Sequence, residues 1–306
     1  MMKILDLHCD TLLNDQPLAG NTCSVDLDRL PAKARYCQCF ALFVHDDFRG
    51  QAAIDRAEEL YGRFAARTAE AAERIRPCRT TADIEAAFAE GKNAALLTIE
   101  GGAALGGRME ELERMAGRGL KMMTLTWNGA NEIGGGALSP SDMGLTSFGR
   151  DVARRMEELK VAVDVSHLND KTFWQVAEVA EKPFLATHSN ARAICGHPRN
   201  LTDDQIREIA GRGGIIGLNY FVKFLDDQGQ VRGWDTLLRH MEHILEKGGE
   251  GCLALGSDFD GCRLPEFFDG VAGLDELYRL TAARFGKPLA DRIFYDNARA
   301  FLANFD

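Results

Sequence analysis

Acidic residues and histidines recur in this chain at one kind of place, the end of a short apolar run. KILDLH leads into Cys9-Asp10, so that His8 and Asp10 form an H-x-D pair. NAALLTI ends in Glu100-Gly101-Gly102, KVAVDV in Ser166-His167, PFLAT in His188-Ser189, and CLALGS in Asp258-Phe259-Asp260-Gly261. Each ending is ordinary alone. A His after a strand is most often a hydrogen-bonded loop residue, and an Asp before Gly is usual turn chemistry. Five such endings in one chain are a different matter. Gathered at one point without counter-charge, these groups would cost on the order of several kcal/mol in repulsion and desolvation. Divalent cations remove that penalty. Imidazole and carboxylate without thiolate suit Zn²⁺ best, with Mn²⁺, Co²⁺ or Fe²⁺ as alternatives. The number of ligands points to two ions bridged by one carboxylate.

The elements that must position these groups follow from alternation along the chain. Apolar, β-branched runs predict strands at about 3–8, 37–44, 93–99, 120–126, 160–165, 183–187, 213–219 and 252–257. Helical patterns fall at about 51–75, 81–90, 108–118, 145–158, 169–180, 202–211, 234–247 and 273–303, the last broken near Gly286-Lys287-Pro288. An irregular loop is expected after the fourth strand, around the glycines at 134–136. This is the pattern of a parallel α/β sheet. Because the polar residues sit at strand ends, the favoured architecture is a closed (β/α)8 TIM-like barrel over a single catalytic domain, residues 1–306, with a doubly wound open sheet as the competitor. Period-2 alternation puts His8 and Asp10 on one face and Cys9 on the other.

Composition excludes other classes. A net charge of −10 argues against a nucleic-acid partner. Eight cysteines without a C-x-x-C pair read as reduced thiols rather than a disulfide framework. No apolar run reaches the ~18 residues of a membrane span, and no signal-peptide stretch follows Met1-Met2-Lys3. The expectation is a cytoplasmic protein without a membrane partner.

The strings LHCDT, LLTIEGG, VDVSH, ATHSNARAICGHPRNL and LGSDFDG resemble, in order and spacing, the successive signatures of the membrane (renal) dipeptidases, peptidase family M19. His167 and His188 stand 21 positions apart, with Arg199 a further 11 on, as in that family. The resemblance runs along essentially the whole chain. It implies a metal-dependent hydrolase with two Zn²⁺, acting on the peptide bond of dipeptides, including those with a C-terminal D-residue. His8 and Asp10 would bind one ion, His167 and His188 the other, and Glu100 would bridge them. Asp258 would handle the proton; alternation alone does not separate it from Asp260. Arg199 would grip the dipeptide's free carboxylate, and a homodimer is the family expectation. One position departs: Trp127 stands after the fourth strand, where the mammalian enzymes have a substrate-contacting His. Trp127 reads as a pocket wall, and Asn219 and Tyr220 at the seventh strand's end join it as candidate substrate contacts.

Two other readings compete. A related binuclear amidohydrolase, lactonase or phosphotriesterase would typically begin with H-x-H and carry a carbamylated Lys as bridge, which His8-x-Asp10 and Glu100 argue against. A non-catalytic ligand-binding barrel would keep the ligands without turnover. Among the remaining histidines, His240 and His243 are expected on an exposed helical face and His197 in a loop, while His45, after the second strand, is a candidate for the barrel mouth.

Overall fold

The computed structural model describes residues 2–306. Its strands are β1 (Lys3–Cys9), β2 (Arg35–Phe43), β3 (Ile75–Cys78), β4 (Asn93–Glu100), β5 (Leu120–Thr124), β6 (Ala162–Asp164), β7 (Ile216–Leu218) and β8 (Leu253–Leu255). They pair in parallel in the order β6-β5-β4-β2-β1-β8-β7, with β3 beside β4. The helices are α1 (Gly50–Glu70), α2 (Thr81–Ala89), α3 (Met109–Arg118), α4 (Ser147–Glu158), α5 (Asp170–Val179), α6 (Asp203–Gly211), α7 (Val222–Leu225), α8 (Asp235–Gly248), α9 (Leu274–Phe285), α10 (Lys287–Asp291) and α11 (Asn297–Leu302). Local chemistry starts several of them. Thr80 with Asp83, and Thr202 with Gln205, form capping boxes at α2 and α6. Gly286, at φ +88°, separates α9 from α10 at the expected break.

The curled sheet closes into a TIM-like barrel, but its seam differs from expectation. Residues 183–187 make single bridges, Asp164 to Leu185 and Ala186 to Ile216, in place of a full strand. Leu185 N–H donates to Val163 O at 3.1 Å and Ala186 N–H to Ile215 O at 3.0 Å, which completes the ring. The predicted helix 51–75 also ends early, at Glu70, and residues 75–78 form β3. Pro77 cannot continue a helix, and it is tolerated in β3 because that strand pairs only with β4. β3 runs beside Asn93 to Leu96, and β5 then takes the same edge from Leu97 to Glu100.

Two apolar layers form. Leu7, Cys39, Leu96, Met122, Ala162, Leu185, Ile215 and Ala254 line the interior, whose floor is closed by Phe301 and Phe305. Phe40, Leu42, Ala57, Leu60, Val152 and Leu253 belong to the outer layer between strands and helices. Leu7 and Cys9 are two residues apart, which on an unbroken strand would put them on the same side. Yet Leu7 belongs to the interior and Cys9 to the outer layer. The register gives the reason: Asp6 pairs with Gln38 and Cys9 with Phe40, so three steps on β1 match two on β2. This β-bulge reverses the alternation and turns His8 and Asp10 inward at the barrel mouth.

His240, on α8, is fully buried rather than on an exposed face. Ala191 N–H donates to its Nδ1 at 3.2 Å, and Nε2 lies 3.0 Å from Leu225 O, so the neutral ring is satisfied at both nitrogens. His243 instead meets Asp203 at 2.7 Å, half-buried. Burial lowers the His240 pKa from 6.5 to about 4. The unfolded chain therefore binds the extra proton first, and this contribution is present above pH 6.5 and lost as pH falls towards 4. It amounts to about 3 kcal/mol. Urea unfolding of wild type and His240→Asn from pH 7 to 4.5 should show the flatter pH dependence in the variant; parallel curves would refute this.

Candidate metal centre

All the sequence-predicted donors meet at the C-terminal mouth of the barrel. β1 brings His8 and Asp10, β4 brings Glu100, and the turns after β6 and β8 bring His167 and Asp258. His188 follows the seam segment. The backbone is bent to do this: His167 (φ +69°) and Asp258 (φ +60°) occupy the left-handed region, which costs non-glycine residues about 1–3 kcal/mol each. At Gly101 (φ +94°) a Cβ would stand 2.6 Å from Val44 O, which is why Glu100 is followed by glycine.

The six side chains form two groups joined in the middle. His8 Nε2 lies 3.3 Å from Asp10 Oδ2, 4.0 Å from Asp258 Oδ1 and 3.4 Å from Glu100 Oε2. The other Glu100 oxygen, Oε1, lies 2.8 Å from His167 Nε2 and 3.6 Å from His188 Nε2. Glu100 therefore faces both groups, one oxygen to each. Ligand atoms of His8, Glu100 and His188 fall within 4.8 Å of one another, as do those of His8, Asp10 and Asp258.

Electrostatics tests whether cations fit here. Burial, with Arg199 nearby, holds the pKa of His167 and of His188 well below the usual value, so both rings are neutral. Their Nδ1 atoms are occupied: His167 Nδ1 faces Asn128 Oδ1 at 3.0 Å and His188 Nδ1 faces Thr187 Oγ1 at 2.7 Å. With Nδ1 as the donor, the two Nε2 lone pairs confront each other at 2.8 Å. Burial and the neighbouring Asp10 push the Glu100 carboxyl up to about 8. At His8 burial opposes the charged ring, but Glu100 and Asp10 outweigh it and hold the pKa high. Asp10 Oδ1 is buried without a partner. Facing lone pairs, crowded carboxylates and an orphaned oxygen are what divalent cations resolve, and a bound cation would reverse the carboxylate shifts. The residues present fit that role. Cys262 is the nearby thiol; burial and the Asp258 charge keep it protonated, so the donor set is nitrogen and oxygen.

A family model described as membrane dipeptidase (peptidase family M19) matches residues 1–297. The chain belongs to the membrane dipeptidase family, M19. Among solved structures, a metallo peptidase from Rhodobacter sphaeroides, liganded with a phosphinate mimic of the dipeptide L-Ala-D-Ala, is 27% identical with a TM-score of 0.93, covering 100% of this chain and 99% of that one. Dipeptidase AC, a metallo peptidase of family M19, is 28% identical with a TM-score of 0.92, covering 99% and 98%. An uncharacterized protein from the pqqA 5' region of Klebsiella pneumoniae is 38% identical over 247 residues, 77% of this chain and 91% of the relative. Despite the family's description, no helix among the described residues is long and apolar enough to cross a membrane.

Above the centre of this M19 chain lies a cavity of about 250 Å³, lined by Asp10, Glu100, His167 and Asp258 together with Phe43, His45, Trp127, Phe221 and Phe224. Trp127 is a wall, packed against His45 (4.5 Å between centroids) and Phe43 (5.2 Å). Arg199 is buried behind Phe224, its guanidinium 5.3 Å from that ring. Its NH2 group donates to His188 O at 3.3 Å, and its Nε has no partner among the described residues. Burial lowers its pKa to about 10.

Two expected substrate contacts stand outside the cavity lining. Tyr220 is fully buried with its ring against Phe259 and Phe268, away from the cavity. Asn219 is also fully buried, and its amide is spent holding Asp258 Oδ2 at 3.0 Å. The two acids of DFD separate cleanly. Asp258 faces His8, whereas Asp260 accepts from Thr11 Oγ1 and Ser24 N, both at 2.6 Å, and anchors the loop after β1. His197 is loop structure, its Nδ1 accepting Arg199 N–H at 3.2 Å. Residues not singled out from the sequence are Asn128, Thr187, Phe43, Phe221, Phe224 and Cys262. Asn128 and Thr187 adjoin quoted positions, which is the one signal that could have found them.

At Gly261 a Cβ would stand 2.0 Å from Asp10 Oδ2 and 2.6 Å from Asp258 Oδ1. Gly261→Ala must therefore displace both carboxylates, and divalent-metal affinity should fall at least about tenfold in a chelator-buffered titration. An unchanged affinity would mean that these oxygens do not face the centre.

Proposed function

We propose that the chain hydrolyses the peptide bond of dipeptides, using two Zn²⁺ held by His8, Asp10, Glu100, His167 and His188. The observation that carries this reading is a strand-end donor cluster with facing lone pairs, adjoined at His188 by a buried guanidinium lacking a partner at Nε. Asp10 and His8 would hold one ion, His167 and His188 the other, with an oxygen of Glu100 to each. When bound, such ions supply an activated water and polarise the scissile carbonyl near neutral pH.

The chain's own residues do the rest. Asn219 pins Asp258 Oδ2, leaving Oδ1 towards the centre as the atom that accepts the proton and returns it to the leaving amine. Arg199 offers the charge and donors that a dipeptide's free carboxylate needs. The Trp127, Phe43, Phe221 and Phe224 rings give the cavity of about 250 Å³ apolar walls, a size that suits a short substrate. The relative that holds a mimic of L-Ala-D-Ala supports extending the substrate range to C-terminal D-residues.

The test is hydrolysis of L,L- and L,D-dipeptides by metal-analysed protein before and after chelation, beside a lactone and a phosphotriester. Chelator-sensitive dipeptide cleavage with two zinc per chain is expected; cleavage of only the other esters would transfer the chain to a different hydrolase class. Asp258→Asn should lose about 10²–10⁴-fold in kcat with metal content intact. Arg199→Met should lose about 2–5 kcal/mol in kcat/KM on free dipeptides but little on dipeptide amides; equal losses on both would remove Arg199 from carboxylate recognition.

A further inference from the structure

Two buried carboxylates outside the proposed donor set stand in equivalent places. Asp6 Oδ1 accepts the N–H of His8, two residues ahead, at 3.1 Å, and that of Ser257 at the neighbouring strand end at 3.0 Å. Asp164 Oδ1 accepts the N–H of Ser166, two residues ahead, and that of Thr187 across the seam, both at 2.9 Å. Each ties its own strand to the next, directly below histidines of the centre. The second oxygens differ. Asp6 Oδ2 is buried without a partner, whereas Asp164 Oδ2 accepts the hydroxyls of Thr124 and Thr187, the latter at 2.6 Å.

This difference reaches His188. Four donors converge on Asp164, an arrangement that suits an acceptor-only group. The Thr187 hydroxyl gives its single proton to Asp164, so its oxygen can only accept from His188 Nδ1, 2.7 Å away. Ser166 Oγ, which accepts His188 N–H at 3.2 Å, lies 3.3 Å from the same oxygen and supports the geometry. The chain Asp164, Thr187, His188 thus fixes the proton on Nδ1 and leaves the Nε2 lone pair aimed at Glu100 and His167.

We propose that Asp164, acting through Thr187, is a positioning residue that sets the tautomer and aim of His188, and with them the metal affinity of the half of the centre formed by His167 and His188. The half formed by His8, Asp10 and Asp258 has the backbone staple at Asp6, and its neighbouring hydroxyl, on Ser257, donates to the His8 carbonyl at 3.1 Å and not to the ring, so the two halves differ in how they are tuned. This rests on the metal reading given under Proposed function.

The experiment titrates wild type, Thr187→Val, Thr187→Ser and Asp164→Asn with zinc in a chelator-buffered series, counting bound zinc per chain. Thr187→Val keeps the side chain's shape and removes only the relay. It should weaken one of the two binding steps about 10–100-fold while the other stays in place. Thr187→Ser should restore the weakened step, and Asp164→Asn should displace the same step as Thr187→Val. Wild-type binding by Thr187→Val, or equal displacement of both steps, overturns the proposal. A wild type that takes up no divalent metal overturns the metal reading itself, so the two failures are distinct.

Discussion

Six titratable side chains brought to the mouth of one barrel form the constraint on which the structure turns. Three carboxylates, two neutral imidazoles with facing lone pairs and a third imidazole held between acids do not gather spontaneously. Each is forced into place by something costly or rare: a bulge in β1 for His8 and Asp10, left-handed backbone at His167 and Asp258, and glycines where a Cβ would collide with Val44 or Asp10. Such strain persists only where the surrounding fold over-determines it, and it concentrates where function needs it. The apolar layers inside and outside the ring supply that surplus.

The site is electrically lopsided, and the lopsidedness matches a dipeptide. Asp10 and Asp258 make one side anionic. The other side carries neutral rings and, behind them, the Arg199 guanidinium. A zwitterionic ligand with a free amine and a free carboxylate has ends complementary to such a site.

The donors were legible in the sequence because barrel strands end at one mouth, so a polar residue ending an apolar run announces its position. Other features were hidden for definite reasons. The H-x-D pair was placed correctly by alternation within residues 8–10, but the alternation of residues 4–8 points His8 outward; only pairing with β2 shows the extra residue. Asp258 and Asp260 share a parity, and the chain reversal at φ +60° and +66° sends them to different partners. Tyr220 looked like a mouth residue because it follows a strand, yet its ring finds Phe259 and Phe268 in the core. His240 looked exposed from helix spacing, because the Ala191 and Leu225 backbone groups that satisfy it are distant in sequence. β3 was concealed by the helical composition upstream of it. These are tertiary effects, and local pattern does not carry them.

The ring is joined between β6 and β7 by two isolated bridges, and that seam carries His188. This join is as short as the one between β1 and β8, where Asp6 and Leu255 are the single laddered pair, and a donor stands directly beside it. In the proposed loaded protein, ions gripping His188 together with donors from β1 and β4 act as a clasp across the mouth. Filling the site would then also brace the ring where two short bridges close it, so that barrel closure and metal loading become linked.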